Sequence, residues 1–213
     1  MNYSTRNINK IVKFIIIHYT GMRSFKLAFR RLISLNSEVS CHYLISRNGK
    51  IYNILNPDLK AWHAGHSEWK IYKNLNDYSI GIELENKGHE FGYTEFTKLQ
   101  YSSLKKLLNS LCFQFNIKPI DILGHSDISP NRKKDPGELF NWYSINLNKY
   151  IKNKNTPLSM SIKSMLKKYG FSINYIDKFR SHCILAVKRK LGYRVINDSI
   201  DQNFINDFKD LIN

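Results

Sequence analysis

The fold of this chain is decided by one short stretch, Lys13-Phe14-Ile15-Ile16-Ile17-His18. Its four consecutive apolar residues, three of them β-branched, predict a strand that is buried on both faces. Such strands lie inside parallel or mixed sheets that helices cover on either side. The stretch ends in a histidine, and the carboxyl ends of strands are where α/β folds often carry functional groups. His18 is therefore the first candidate for a functional site.

The segments that follow this strand alternate between strand and helix patterns. Asn48-Gly49 is a strong two-residue hairpin signal between two short apolar runs. In chain order we expect a helix from Ser24, a hairpin of 42–46 and 50–55, a strand over 79–84, a helix over 94–115 and a short strand over 121–123 that leads to His125. This alternation predicts an α/β layer fold.

The C-terminal part of the chain has helical patterns only. A polar stretch, 152–157, ends in proline and predicts a linker. After it, apolar residues recur at helical spacing in three stripes, and Ser199 or Asp201 is available to cap the third helix. We therefore predict two domains, an α/β domain over 1–153 and a small three-helix domain over 158–213.

The composition is that of a globular protein with a large positive charge. Of its 213 residues 42% are hydrophobic, which is enough for a core and argues against wholesale disorder. The formal net charge is +16, of which 154–213 carries +6, so the charge is spread along the chain. A field of this sign favours nucleic acid, anionic lipid or an acidic cell-wall polymer as a partner. A purely solubilising surface explains the charge equally well.

The cysteines and the apolar runs bear on the compartment. Cys41, Cys112 and Cys183 show no CxxC spacing, so we expect free thiols and no disulfide framework. No apolar run is long enough to span a bilayer, and the run after the polar N-terminus is too short for a signal-peptide core. These features predict a cytoplasmic location. A periplasmic or cell-envelope location stays open if an export signal has been removed.

A second stretch, Gly124 to Gly137, supplies two further candidate ligands. His125 and Asp135 lie ten positions apart in it, at the two ends of a basic, proline-containing loop. Together with His18 they form a set of two imidazoles and one carboxylate. Zinc sites with three protein ligands and one open position are typically catalytic, whereas structural sites usually have four protein ligands. The sequence therefore predicts a metallohydrolase.

The strand over 79–84 offers a candidate base. Alternation of side chains directs Gly81 and Glu83 to one face of this strand. A carboxylate beside zinc can act as a general base toward water, and Gly81 leaves room for substrate or backbone to approach. The alternative is a solvent-facing glutamate on a half-exposed strand, and this segment alone favours that alternative.

A series of short motifs extends over residues 13–145. They are Ile17-His18-Tyr19-Thr20, Ser40-Cys41-His42-Tyr43-Leu44-Ile45, Asn48-Gly49-Lys50-Ile51-Tyr52, Ala61-Trp62-His63-Ala64-Gly65, Asn76-Asp77-Tyr78-Ser79-Ile80-Gly81-Ile82-Glu83, Gly88-His89, the stretch from Gly124 to Gly137, and Phe140-Asn141-Trp142. Their order and combination resemble the zinc-dependent N-acetylmuramoyl-L-alanine amidases of the type-2 amidase family, in particular its AmpD and AmiD branch, which is related to peptidoglycan recognition proteins.

The resemblance implies a mixed central β-sheet flanked by helices, and hydrolysis of the amide between N-acetylmuramic acid and L-alanine in peptidoglycan or muropeptides. By motif position it implies one zinc ion per chain, bound by His18, His125 and Asp135. It also implies that Glu83 activates water and that Lys133 stabilises the oxyanion.

The resemblance further implies a segment that lines the substrate cleft: Trp62, His63, Ala64 and Gly65. Packing of Trp62 in the core is an alternative of equal weight. The C-terminal helices resemble, more faintly, the peptidoglycan-binding module of AmiD-type enzymes, although their basic faces depart from a neutral glycan-binding surface. Two other functions stay open: a peptidoglycan recognition protein without catalysis, and an additional nucleic-acid or anionic-surface role.

Overall fold

The structure is a computed structural model that describes residues 2–7, 11–145 and 160–212. At its centre lies a five-stranded mixed sheet. The strands are β1 Tyr3–Thr5, β2 Phe14–Tyr19, β3 Tyr43–Ile45, β4 Ile51–Asn53, β5 Leu59–Ala61, β6 Glu68–Trp69, β7 Tyr72–Lys73, β8 Ser79–Leu84 and β9 Ile122–Gly124. The central sheet has the order β4-β3-β8-β2-β9, in which only the β3–β4 pair is antiparallel. Helices cover it, so the predicted α/β architecture is confirmed.

The helices of the described residues are distributed over both faces of this sheet. They are α1 Phe25–Ile33, α2 Gly88–Phe91, α3 Lys98–Phe115, α4 His125–Ile128, α5 Ile162–Tyr169, α6 Ile173–Leu191 and α7 Gln202–Ile212. None of them is long and apolar enough to cross a membrane. The cysteines are free, as predicted.

Strand β2 is buried on both faces, as its unbroken apolar run predicts. The side chains of Phe14 and Ile16 belong to one hydrophobic cluster, and those of Ile15 and Ile17 belong to another. All four are at most 2% exposed. Because neighbouring side chains on a strand point to opposite faces, this one strand contributes to both halves of the core.

The long helix α3 covers one face, and it begins later than the sequence pattern predicts. The prediction started the helix at Thr94, but the Thr97 side chain accepts the N–H of Gln100 and the Gln100 side chain accepts the N–H of Thr97. This reciprocal capping box fixes the first helical residue at Lys98. Leu104, Leu108 and Leu111 then pack in the same cluster as Ile15 and Ile17.

The three C-terminal helices pack directly on the opposite face of the sheet. Met165 of α5, Val187 of α6 and Phe208 of α7 share a hydrophobic cluster with Phe14 and Ile16 of β2. The apolar stripes of these helices therefore contribute to one core together with the sheet. The helices therefore have a structural role in the core, whether or not they also bind a ligand.

Of the two residues predicted to cap α7, Ser199 and Asp201, the structure uses Asp201. Asp201 Oδ1 accepts the N–H of Phe204 at 2.8 Å, as an N-cap does. The predicted linker, 152–157, and the boundaries of the two predicted domains lie outside the described residues. The division into domains over 1–153 and 158–213 stays a prediction.

Replacing Phe208 with alanine tests how strongly the helices and the sheet depend on each other. Phe208 is fully buried in the cluster shared by α7 and β2, so we expect its loss to lower the free energy of unfolding by about 3–5 kcal/mol. In calorimetry, the wild type and the variant should each unfold in one transition, and the transition of the variant should come at a lower temperature.

The matched control for this substitution is Phe113→Ala on α3, where the side chain is 92% exposed and a change within about 0.5 kcal/mol is expected. Two separate transitions, of which only one moves in Phe208→Ala, would contradict a shared cooperative core.

Candidate metal centre

The register of the parallel strands brings the predicted ligands to one edge of the sheet. Ile17 of β2 pairs with Gly124 of β9, and each is followed directly by a histidine, His18 and His125. On the other side of β2, His18 pairs with Glu83 of β8. The sequence predicts convergence of the two imidazoles if their strands are neighbours, and the strands are neighbours.

Three donor atoms lie within hydrogen-bond distance of one another at this edge. His18 Nδ1 is 3.0 Å from His125 Nδ1 and 2.9 Å from Asp135 Oδ2, and the distance from His125 Nδ1 to Asp135 Oδ2 is 3.1 Å. All three residues are buried. Histidine nitrogen and carboxylate oxygen bind zinc at roughly 2.0–2.2 Å, so donors separated by about 3 Å can share one ion.

The loop that carries Asp135 is attached to the helix that starts at His125. Ser126 N–H donates to the carbonyl of Asp135 at 2.9 Å, and the hydroxyl of Tyr93 donates to the carbonyl of Pro136 at 2.6 Å. The nine residues between the two ligands therefore form a closed loop. This closure explains how a side chain distant in sequence reaches the edge of the sheet.

The protonation states of the cluster suit a divalent cation. Burial, together with the neighbouring His125, lowers the pKa of His18 to about 4, so this imidazole is neutral at pH 7. Burial by itself raises the pKa of Asp135, but the protonated forms of His125 and His18, through their charge and their N–H groups, outweigh it and hold that pKa well below its usual range, so the carboxyl ionises first. A neutral imidazole and a buried carboxylate directed at one point fit a zinc ion.

Glu83 lies beside this cluster with one oxygen unpartnered. Its Oε2 is buried and has no hydrogen-bond partner among the described residues. Burial, reinforced by the negative charge of Asp135, raises the pKa of Glu83 to about 8, and Lys133 and Arg31 oppose the shift. Because Oε2 is buried, the alternative of a solvent-facing glutamate is wrong for this oxygen. Buried carboxylate oxygens without a partner are uncommon and are typical of functional sites.

A polar cavity of about 440 Å³ opens on these groups. His18, His125, Asp135 and Glu83 all line it. Four cationic side chains also lie on its wall, those of Arg31, Arg132, Lys133 and Lys134. Lys133 therefore shares the cavity with the cluster, as the sequence predicts.

The four residues predicted to contact substrate lie in different surroundings. His63 lines the cavity, while the side chain of Ala64 is fully buried in the core. Trp62 and Gly65 line a second depression, together with Asn76 and Asp77. A substrate-binding role for these four residues stays a prediction.

Sequence reasoning missed a group on the wall of the cavity. His89, which the sequence predicts to be a structural or surface residue, lines the cavity, and its Nδ1 lies 2.8 Å from the hydroxyl of Tyr19. Its Nε2 lies 3.1 Å from the carboxylate of Glu138. A single histidine gives no local signal of such contacts, since the partners come from distant segments.

Comparison with known families gives a match over most of the α/β part of the chain. The Amidase_2 family, described as N-acetylmuramoyl-L-alanine amidase, matches residues 8–138. This range contains the three candidate ligands, Glu83 and Lys133.

Two curated relatives illustrate the extent of the similarity. The Escherichia coli N-acetylmuramoyl-L-alanine amidase AmiD is 33% identical over 189 residues, which are 76% of this chain and 67% of AmiD. The Haemophilus influenzae 1,6-anhydro-N-acetylmuramyl-L-alanine amidase AmpD is 45% identical over 105 residues, which are 49% of this chain and 55% of AmpD. The chain thus aligns with about half the length of the AmpD protein.

Solved structures extend the similarity to the C-terminal helices. The complex of E. coli AmiD with the substrate anhydro-N-acetylmuramic acid-L-Ala-D-γ-Glu-L-Lys superposes with a TM-score of 0.77 and 27% identity. It covers 94% of this chain and 88% of that one. AmpDh3 from Pseudomonas aeruginosa shares the fold, with a TM-score of 0.79 over 94% of this chain and 91% of its own, at 24% identity.

The buried carboxyl of Glu83 makes the stability of the metal-free protein depend on pH. Its pKa rises on folding from an ordinary 4.5 to about 8, so the folded state resists ionisation and loses stability as the pH rises through this interval. Glu83→Gln removes the ionisation. As the pH rises from 5.5 to 9, we expect the free energy of unfolding of the variant to increase relative to that of the wild type by about 2–4 kcal/mol.

The measurement is urea unfolding of both proteins in the presence of a chelator at the two pH values. A stability difference between variant and wild type that does not change with pH would refute the buried, unpaired state of this carboxyl.

Proposed function

The chain belongs to the N-acetylmuramoyl-L-alanine amidase family, and from this premise we propose that it hydrolyses the amide between N-acetylmuramic acid, or its 1,6-anhydro form, and L-alanine in peptidoglycan or muropeptides. The observation that carries the proposal is the convergence of His18, His125 and Asp135 beside the unpartnered oxygen of Glu83. The substrate in the AmiD complex contains this same bond between an anhydromuramic acid and L-alanine.

We propose that His18, His125 and Asp135 hold one zinc ion per chain. When bound, zinc polarises the carbonyl of the scissile amide and lowers the pKa of water in the site toward 7. The two imidazole nitrogens and the carboxylate oxygen are the ligand types that zinc prefers. The three protein ligands would leave room for substrate and water.

Glu83 would act as the general base. Its carboxylate would take a proton from the water that attacks the carbonyl carbon, and would deliver it to the amide nitrogen as the C–N bond breaks. The raised pKa of Glu83 supports this role, because a buried, unpaired carboxylate holds a proton more strongly than a solvated one.

Lys133 would stabilise the negative charge that develops on the carbonyl oxygen. It lies on the wall of the cavity that also holds Glu83 and the candidate ligands. A fixed ammonium in a partly enclosed cavity stabilises an oxyanion more than a mobile one in water does, since little reorganisation is needed. The other cations of the cavity wall would favour a substrate that carries carboxylates, as peptide stems do.

A recognition protein without catalysis is the second function that the sequence leaves open. All three candidate ligands and the candidate base line one cavity, and this favours hydrolysis over binding alone. A peptidoglycan ligand for the C-terminal helices, an anionic partner for the positive charge, and a cytoplasmic or cell-envelope location all stay predictions.

Mass spectrometry of a defined anhydro-muropeptide tests the proposed reaction. We expect the zinc-loaded protein to release the free stem peptide, and we expect a chelator to abolish the release. The same assay on intact peptidoglycan distinguishes a fragment substrate from a polymer substrate. Unchanged material in both assays, from a protein that has bound zinc, would contradict hydrolysis and favour recognition.

Two substitutions separate metal binding from proton transfer. Asp135→Ala removes a ligand, so zinc content and activity should fall together. Glu83→Gln keeps the size of the side chain and should retain zinc, while kcat falls by about 10²–10⁴. Zinc content is measured by atomic emission on both purified variants. Wild-type kcat in Glu83→Gln would eliminate Glu83 as the base.

A further inference from the structure

From the far nitrogen of His18, a chain of buried hydrogen bonds runs through His63 and Ser79 and ends at a backbone carbonyl. We propose that His63 and Ser79 form a relay that fixes the tautomer of His18 and keeps the Nδ1 lone pair of His18 directed at the zinc site. The inference rests on the proposed function, because it takes zinc binding by His18 as given. It makes His63 a positioning residue, with no contact to the substrate required.

The direction of the relay is set at its far end. Ser79 is fully buried, and its Oγ lies 2.5 Å from the carbonyl oxygen of Leu75. A carbonyl only accepts hydrogen bonds, so two oxygens this close must have the hydroxyl proton of Ser79 between them. The Ser79 hydroxyl has one proton, and its oxygen is therefore left as an acceptor for its other partner.

That partner is Nε2 of His63, 3.2 Å from Ser79 Oγ. Because the serine oxygen can only accept here, the His63 Nε2 must carry the proton. A neutral imidazole has one donor and one acceptor nitrogen, so Nδ1 of His63 has the lone pair. The far end of the relay thus decides the tautomer of His63.

The lone pair of His63 in turn decides the tautomer of His18. His63 Nδ1 lies 3.0 Å from His18 Nε2, which must therefore be the donor. Nδ1 of His18 is then unprotonated and lies 2.9 Å from Asp135 Oδ2. A metal ion requires this form of the imidazole, and partners on the far nitrogen are what usually hold a ligand histidine in it.

His125, the second histidine of the cluster, is held in the same tautomer by a single hydrogen bond. Nε2 of His125 lies 3.0 Å from the carbonyl of Ala64 and donates to it directly, which leaves its Nδ1 unprotonated toward the cluster. The hydrogen bonds from Nε2 of both candidate ligands therefore lead to a backbone carbonyl. His125 reaches its carbonyl directly, and His18 is connected to its carbonyl through the side chains of His63 and Ser79.

Gly81 of strand β8 leaves the space that the imidazole of His63 occupies. A Cβ at Gly81 would lie only 2.4 Å from Cγ of His63, so no larger residue fits while the ring of His63 keeps its position. The sequence predicts that substrate or backbone approaches Gly81, whereas in the structure the imidazole of His63 occupies this space. Asn76 holds the backbone of the same segment, since its Oδ1 accepts the N–H groups of His63 and Ala64.

Zinc affinity of His63 variants, measured by competition with a chromophoric chelator, tests the inference. His63→Leu removes the acceptor for His18 Nε2–H, and we expect about 10–100-fold weaker zinc binding. His63→Asn keeps an acceptor oxygen near the position of Nδ1, and we expect an affinity within about threefold of the wild type. The matched control is His182→Leu, an exposed histidine on α6, which should bind zinc as the wild type does.

Each alternative outcome of this titration has a definite meaning. Wild-type affinity in His63→Leu would overturn the relay, and so would an equal loss in His63→Leu and His63→Asn, which would indicate a role in packing only. A wild-type protein that binds no zinc would instead overturn the proposed function, and the inference with it.

Nitrogen-15 NMR of the zinc-loaded wild type tests the relay without any substitution. We expect His63 to be protonated at Nε2 only, with a scalar coupling across the hydrogen bond between His18 Nε2 and His63 Nδ1. Ser79→Ala should weaken or remove that coupling. A proton on Nδ1 of His63 in the wild type would overturn the proposed direction of the relay.

Discussion

The burial of β2 on both faces, between two parallel neighbours, is the constraint on which the rest of the structure depends. Because no side of this strand faces water, helices must cover both faces of the sheet, and they contribute the two hydrophobic clusters that meet at Phe14 to Ile17. Because β8 and β9 run parallel to β2, the residues that follow or end these strands reach the same edge. The positions of His18, His125 and Glu83 follow from that register.

The C-terminal helices are connected to this edge by polar contacts as well as by apolar packing. Asp127, two residues after a candidate ligand, accepts the hydroxyl of Tyr169 at 2.9 Å, and its other oxygen accepts the N–H of Gly124. Nζ of Lys190 lies 3.5 Å from Asp127, and burial lowers the pKa of this lysine to about 8 although Asp127 opposes the shift. A buried charged pair of this kind adds little net stability, because the cost of desolvation offsets most of the attraction.

The edge of the sheet concentrates groups that are unfavourable to bury. Among the described residues, four imidazoles, three carboxyl groups and four cations line one cavity, and one oxygen of Glu83 has no hydrogen-bond partner there. Such an arrangement costs stability in the metal-free protein, and the large apolar clusters on both faces of the sheet offset it. A cation at the cluster would compensate the negative charge of Asp135, so binding and folding are thermodynamically coupled.

The sequence by itself determined the elements and their functional ends. The apolar run before His18, the alternation around Glu83 and the loop from His125 to Asp135 are local patterns, and local periodicity is readable without knowing the fold. The amidase family was also recognisable from motif order. Only the tertiary structure decided that the C-terminal helices pack on β2, that Asp201 caps the last of them and that His63 lies behind His18. The relay and the helix docking join residues distant in sequence, and their partners are set by strand register and packing, for which no local pattern exists.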